Sequence, residues 1–213
     1  MRNDISDISL GVNTTSNSNK VKKITIRENN LRGNNCINGY FATECFISNN
    51  LFKGGYGIQL LNNSHIYNNV INCYAYSLSS VSGCFIQNNY FRITNGYYLA
   101  SCNNNSFYNN AFEKDITFPA GTNSGANNLT NQETIKTFQV NDLNFHKNLK
   151  IRDASPCKNA GSDGTDIGIY GGSQPYKAGA VPFNPHINRA FISTQTDKDG
   201  KLPVNIVVTA QDR

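Results

Sequence analysis

Carboxylates, histidines and cysteines build most hydrolytic, proton-transfer and metal chemistry, and in this 213-residue chain they are sparse and poorly spaced for it. From Cys45 to Phe112 there is no Asp or Glu, and the only Lys or Arg residues are Lys53 and Arg92. Glu28 and Glu44 precede that stretch; Glu113 and Asp115 follow it. Glycoside hydrolysis needs two carboxylates flanking the scissile bond, and a Ca²⁺ cage needs several oxygen ligands. Neither can be assembled from the stretch itself, which leaves only metal-free proton abstraction by residues such as His65, Tyr67 or Arg92. The cysteines Cys36, Cys45, Cys73, Cys84, Cys102 and Cys157 show neither CxxC nor the Cys/His spacing of a zinc site. Asp163-Gly164-Thr165-Asp166 lacks the alternating ligands and closing Glu of an EF-hand and is expected to be a turn. His146 and His186 are isolated. No catalytic residue, metal ligand or cofactor is assigned.

The elements that must position any site follow from composition. Asn occurs 35 times, and aromatic residues make up 11% of the chain. Asn competes for backbone hydrogen bonds and favours turns over helix interiors, while so many aromatic and β-branched residues argue for a folded chain. The net charge of +5 comes from a shortage of acids. Lys and Arg are scattered rather than clustered as phosphate recognition requires, so nucleic acid is excluded as a partner. No apolar stretch approaches the roughly 20 residues of a membrane span. Met1-Arg2-Asn3-Asp4 has no apolar core of an export signal. The expectation is a piece of a longer exported chain with further domains, located outside the cell or at its surface.

A repeat organises the chain. An apolar residue, Asn three positions later and a second apolar residue two further on recur as Ile26-Asn29-Leu31, Ile47-Asn50-Phe52, Ile66-Asn69-Ile71, Ile86-Asn89-Phe91 and Phe107-Asn110-Phe112. The steps are 21, 19, 20 and 21 residues, and a fainter copy is read at Ile5, Ile8 and Leu10. A second short apolar alternation follows within each repeat, as in Ile58/Leu60 and Tyr97/Leu99, after turns such as Lys53-Gly54-Gly55. One such unit cannot bury its own apolar face, so neighbours must stack. Stacking at the strand spacing of about 4.8 Å puts Asn29, Asn50, Asn69, Asn89 and Asn110 in one column. There each amide can donate to one coil and accept from the next. Cys45 and Cys84 also share a column, two coils apart, too far for a disulfide.

This pattern resembles the right-handed parallel β-helix proteins of the pectin-lyase-like superfamily. A leucine-rich repeat would need apolar residues two positions before each lead, where Ile24, Cys45, Ser64, Cys84 and Asn105 stand. The run Ser155-Pro156-Cys157 through Ala160-Gly161 to Asp166-Ile167-Gly168 is similar to the closing stretch of secreted bacterial β-helix repeat proteins, which implies a Bacteroidetes-like origin. The predicted fold is all-β: a solenoid of about five to six coils over residues 1–130, a C-terminal cap over 131–180, and a linker with a β-hairpin tail over 181–213. The hairpin follows from the alternation Leu202, Val204, Ile206, Val208 after the Asp199-Gly200 turn.

If the lead residues face inward, their neighbours face outward. One outward column is then Thr25, Phe46, His65, Phe85 and Ser106; the next is Arg27, Ser48, Tyr67, Gln87 and Tyr108. Phe46, His65, Tyr67, Phe85, Gln87 and Tyr108 form the candidate ligand-binding face, because exposed aromatic patches mark contact surfaces and rings beside amides suit sugars. The cover of this face is expected to be either the C-terminal tail or a polysaccharide. The expected function is a non-catalytic fragment of a surface or secreted protein serving carbohydrate binding or adhesion. The resemblance implies two alternatives: a polysaccharide lyase or glycoside hydrolase whose catalytic acids lie outside this piece, or a structural spike or stalk.

Overall fold

The computed structural model describes residues 3–11, 21–118, 120–143, 149–176 and 185–210. Of the residues singled out above, Met1, Arg2 and His146 lie outside them, as do residues 12–20 and 119 of the predicted coils, 144–148 and 177–180 of the predicted cap, and 181–184 and 211–213 of the predicted linker and tail. The described chain is nearly all-β, a parallel solenoid of about five turns followed by an antiparallel hairpin, as the repeat predicts. Among the described residues no helix is long and apolar enough to cross a membrane.

Each coil has a three-residue strand and a long strand. The short strands Thr25–Arg27, Phe46–Ser48, His65–Tyr67, Phe85–Gln87 and Ser106–Tyr108 pair in parallel and in register, with Ser124–Ala126 closing that sheet. The long strands Asn29–Thr43, Leu51–Asn62 and Val70–Ser79 form the other sheet and continue as the split pair Tyr90–Ile93 and Tyr97–Ala100. A register irregularity between Gly54 and Tyr56 marks where the long strand bends. The lead residues Ile26, Ile47, Ile66, Ile86 and Phe107 are buried together with Leu31, Phe52, Ile71, Phe91 and Phe112, so one continuous apolar column fills the lumen. The fainter repeat at Ile5 is shifted: Ile5 stands beside Leu31 and Ile8 beside Ile37, so this segment stacks on the long strand and contributes no lead position.

Asparagine holds the coils at one corner. The backbone N–H and the Nδ2 of each ladder residue both donate to Oδ1 of the next: Asn29 to Asn50 at 3.0 and 3.2 Å, Asn50 to Asn69 at 2.9 and 3.1 Å, Asn69 to Asn89 at 2.9 and 2.9 Å, Asn89 to Asn110 at 3.0 and 3.0 Å. The ladder runs one coil further, to Asn128. Nδ2 of Asn50, Asn69, Asn89 and Asn110 also reaches back to the carbonyl of the preceding coil's lead residue, Ile26, Ile47, Ile66 and Ile86. One amide thereby joins three coils.

The residue before each ladder Asn is also Asn from the second coil on, and Asn49, Asn68, Asn88, Asn109 and Asn127 all have φ between 51° and 57°. This left-handed turn conformation is costly for most L-residues and tolerated best by Gly and Asn. The side chains of Asn49, Asn68, Asn88 and Asn109 face the other way, toward residues 155–176. Asn49 Nδ2 donates to the carbonyls of Ile169 and Gly171, Asn88 exchanges hydrogen bonds with Ser162, and Asn109 Nδ2 donates to the Ala160 carbonyl. The Ser155–Gly168 run is thus a strap laid along the flank, across successive coils. Asp166 accepts from Lys158 Nζ and the Asn159 N–H, and Gly168 donates its N–H to the Asn88 carbonyl. Gly172 holds φ at 81°, a conformation strained for residues with a side chain, and a Cβ there would sit 2.2 Å from Asn68 Nδ2 and push that amide aside. Ile167, Ile169, Cys157 and Tyr176 of the strap, with Phe138, Leu143, Leu149 and Ile151, bury Leu51, Val70, Tyr90 and Ala111 in a second apolar core outside the lumen.

At the opposite corner the column before each short strand holds Cys45, Ser64, Cys84, Asn105 and Asn123. The Cys45 N–H donates to Ser64 Oγ, the Cys84 N–H to Asn105 Oδ1, and Asn105 to Asn123. All six cysteines are buried free thiols. Burial pushes the Cys84 thiol up to about 12 and that of Cys157 to about 11, so both stay protonated and unreactive at ordinary pH. Alkylation of the native protein at pH 8 is expected to leave both unlabelled, whereas alkylation after denaturation adds six groups. A mass showing a bridged pair in the denatured sample would contradict this.

The described residues divide into two compact units at residue 177. The second contains the hairpin His186–Ile192 with Val204–Thr209. Its register puts Ile187, Ala190, Ile192, Val204, Ile206 and Val208 on one face, and Arg189, Phe191, Asn205 and Val207 on the other.

Candidate binding face

The short strands position the candidate face because their side chains alternate about a buried lead residue. With Ile47, Ile66 and Ile86 in the lumen, Phe46, His65 and Phe85 point to solvent in adjacent coils, directly opposite one another in register. Phe46 is 42% and Phe85 36% exposed, large values for phenylalanine. The Phe46 and His65 rings stack at 5.1 Å and 10°, His65 and Phe85 lie 6.0 Å apart at 56°, and Phe85 meets Tyr108 at 5.4 Å and 35°. These separations exceed the strand spacing of about 4.8 Å, so the rings are slipped or tilted relative to each other and each leaves part of a face uncovered.

The second outward column is more enclosed. Tyr67, Gln87 and Tyr108 are half-buried, and Ser48, expected there as an outward residue, is buried. Ser48 adjoins Asn49, whose amide is held by Ile169 and Gly171, so the strap passes beside it. Tyr67 and Gln87 are directly opposite each other, leaving a phenol and an amide beside the ring column.

The remaining chemical candidates are dispersed. His65 and Tyr67 belong to the short-strand sheet, whereas Arg92 lies in the long-strand sheet opposite Asn72. Arg92 faces Glu113 at 3.2 Å, and Glu113 accepts from Thr134 Oγ1 at 2.6 Å. Lys53, the other cation of the acid-free stretch, lies 3.5 Å from Asp142. The base candidates His65, Tyr67 and Arg92 are therefore not brought into one cluster. Asp163 closes a turn, its Oδ1 accepting from the N–H and hydroxyl of Thr165. Among the described residues no group of three or more His, Cys, Asp or Glu is placed to hold a metal ion.

Sequence reasoning passed over two features. The first Asn of each doublet, which docks the strap, was visible only as a repeated Asn-Asn pair. The second is a column of tyrosines on the long strands, Tyr56, Tyr76 and Tyr97, opposite one another in register. Their spacing of 20 and 21 residues carries the same period as the leads. Comparison with known proteins leaves the fold to speak for itself: no family model, no curated protein and no solved structure matches the chain.

Proposed function

We propose that this chain is a non-catalytic, carbohydrate-binding or adhesive segment of a secreted or surface-exposed bacterial protein of the pectin-lyase-like β-helix type. The open ring column Phe46–His65–Phe85, with Tyr108 of the neighbouring column against Phe85, carries this reading. Phenyl rings exposed side by side form the kind of contiguous patch that marks a contact surface. Sugar rings present C–H faces that pack on aromatic faces and hydroxyls that hydrogen-bond to groups such as Tyr67 and Gln87. The coil repeat of about 4.8 Å is close to the rise of one hexose in an extended chain, so a polysaccharide along the solenoid axis meets one ring per sugar.

The test is a glycan array followed by calorimetric titration of the best ligand. The Tyr67→Ala/Phe85→Ala double variant is expected to keep its circular-dichroism spectrum and melting midpoint and to lose binding by about tenfold or more, equivalent to about 1.4 kcal/mol. Unchanged affinity would remove the face from consideration. Deleting residues 188–213 separates the other possible cover: lower stability and greater binding of a hydrophobic dye after that deletion would identify the tail as the partner of the rings.

A further inference from the structure

We propose that the tyrosine column on the long strands is a second glycan-binding strip, separate from the first, and that it takes an uncharged, extended polysaccharide lying along the solenoid axis. It rests on the same sugar-on-ring chemistry as the function proposed above but on different residues. Tyr56 and Tyr76 lie 5.6 Å apart at 32°, and Tyr76 and Tyr97 6.2 Å apart at 19°. Both distances exceed the coil spacing of about 4.8 Å, so the rings are slipped and show part of their faces. Tyr97 is 70% exposed.

Polar groups able to meet sugar hydroxyls border the strip. Tyr74 is 55% exposed, and its hydroxyl comes within 3.4 Å of the point where a Cβ on Gly55 would stand. The Asn34 amide oxygen is 2.7 Å from the same point, so the glycine lets a phenol and an amide converge beside Tyr56. Gln59 and Ser79, three residues beyond Tyr56 and Tyr76, form a half-buried column in register with Asn38.

Charge selects the ligand class. The residues of this strip and its border, Asn34, Asn38, Tyr56, Gln59, Tyr74, Tyr76, Ser79 and Tyr97, are uncharged. An acidic polysaccharide would bring a carboxylate to nearly every sugar and lose its hydration with no cation among these residues in return; Lys53 is paired with Asp142, and Lys114 lies at the Thr94 end only. A neutral chain loses only hydroxyl hydration, which amides, phenols and Ser replace. The chain covers its other apolar flank, Leu51, Val70, Tyr90 and Ala111, with its own strap.

The experiment titrates the full chain with neutral hexasaccharides of β-glucan, xylan and mannan, and with oligogalacturonate of the same length. The variants are Tyr67→Ala/Phe85→Ala, Tyr76→Ala/Tyr97→Ala and all four changes together, each checked for an unchanged melting midpoint. Tyr76→Phe/Tyr97→Phe serves if the alanine pair fails to fold, because it keeps the rings and removes the hydroxyls. Expected is binding of a neutral oligosaccharide at least tenfold tighter than oligogalacturonate. Residual binding should persist in Tyr67→Ala/Phe85→Ala and disappear in the fourfold variant. Loss of all binding in Tyr67→Ala/Phe85→Ala alone would overturn the second strip and leave the first standing. Wild-type affinity in that variant, with loss in Tyr76→Ala/Tyr97→Ala, would support the second strip and remove the first. Preference for oligogalacturonate would overturn the uncharged class, and failure to bind any of the four sugars would overturn this proposal. A self-associated species in sedimentation that Tyr97→Ala dissociates would assign the column to a second copy of the chain and equally overturn it.

Discussion

Asn69→Leu is expected to lower the free energy of unfolding by about 3 kcal/mol or more, among the largest effects of a single substitution in this domain. The side chain is fully buried. Its Oδ1 accepts from the backbone N–H and Nδ2 of Asn50, at 2.9 and 3.1 Å, while its Nδ2 donates to Asn89 Oδ1, the Ile47 carbonyl and the Tyr67 carbonyl. Leucine fills a similar volume and meets none of these groups. The Asn50 N–H is then left in the interior with its acceptor gone, at a cost of about 1–3 kcal/mol before the other lost bonds are counted. Asn72 is the control: it lies half-exposed on the long strand, and Asn72→Ala should change stability by no more than about 0.5 kcal/mol. Urea unfolding of the two variants decides the matter, and equal midpoints would show that the ladder contributes nothing beyond an ordinary surface amide.

The second large effect is expected from Ile167→Asp in the strap. Ile167 is 1% exposed and packs in the cluster that covers Leu51, Val70, Tyr90 and Ala111. A carboxylate there is buried without a partner, which costs about 3–5 kcal/mol unless the strap lifts away or the group takes up a proton. Either outcome has a signature: a lower unfolding midpoint, stronger binding of a hydrophobic dye, and partial recovery as pH falls and the acid is neutralised. Asn88→Ala should act more mildly, by about 1–2 kcal/mol, because it removes the exchange with Ser162 and a residue suited to the left-handed turn. If Ile167→Asp stays within about 1 kcal/mol of the parent, the strap is not held on the flank in solution.

The ladder, the lumen and the outward placement of Phe46, His65 and Phe85 are legible in the amino-acid sequence, because each is a local pattern multiplied by stacking. An apolar lead three residues before Asn sets which side chains enter the lumen. Alternation about that lead places Phe46, His65 and Phe85 outside, and a period near 20 residues brings equivalents into register. Repetition makes these inferences robust: an error of one residue would have to recur in every coil. The first copy lacks that protection. Ile5, Ile8 and Leu10 match the apolar spacing but not the Asn, and the register assigns them to the long strand instead.

Other features depended on where distant parts of the chain meet. Asn49, Asn88 and Asn109 bond to residues 51 to 122 positions away, and no local spacing encodes such a contact. The same docking decided that Ser48 is buried and that Leu51, Val70 and Tyr90 form a core outside the lumen. The tyrosine column was hidden for a different reason. The long strand bends between Gly54 and Tyr56, which breaks the two-residue alternation and with it any inference about which side chains face out. Sequence by itself determined the coil, its period and the amides that join one coil to the next, since short-range alternation and identical neighbours suffice for those. Only the tertiary structure decided which flank the chain covers with its own strap and which ring columns it leaves open, because a return of the chain across several coils is set by packing energy summed over residues far apart in sequence.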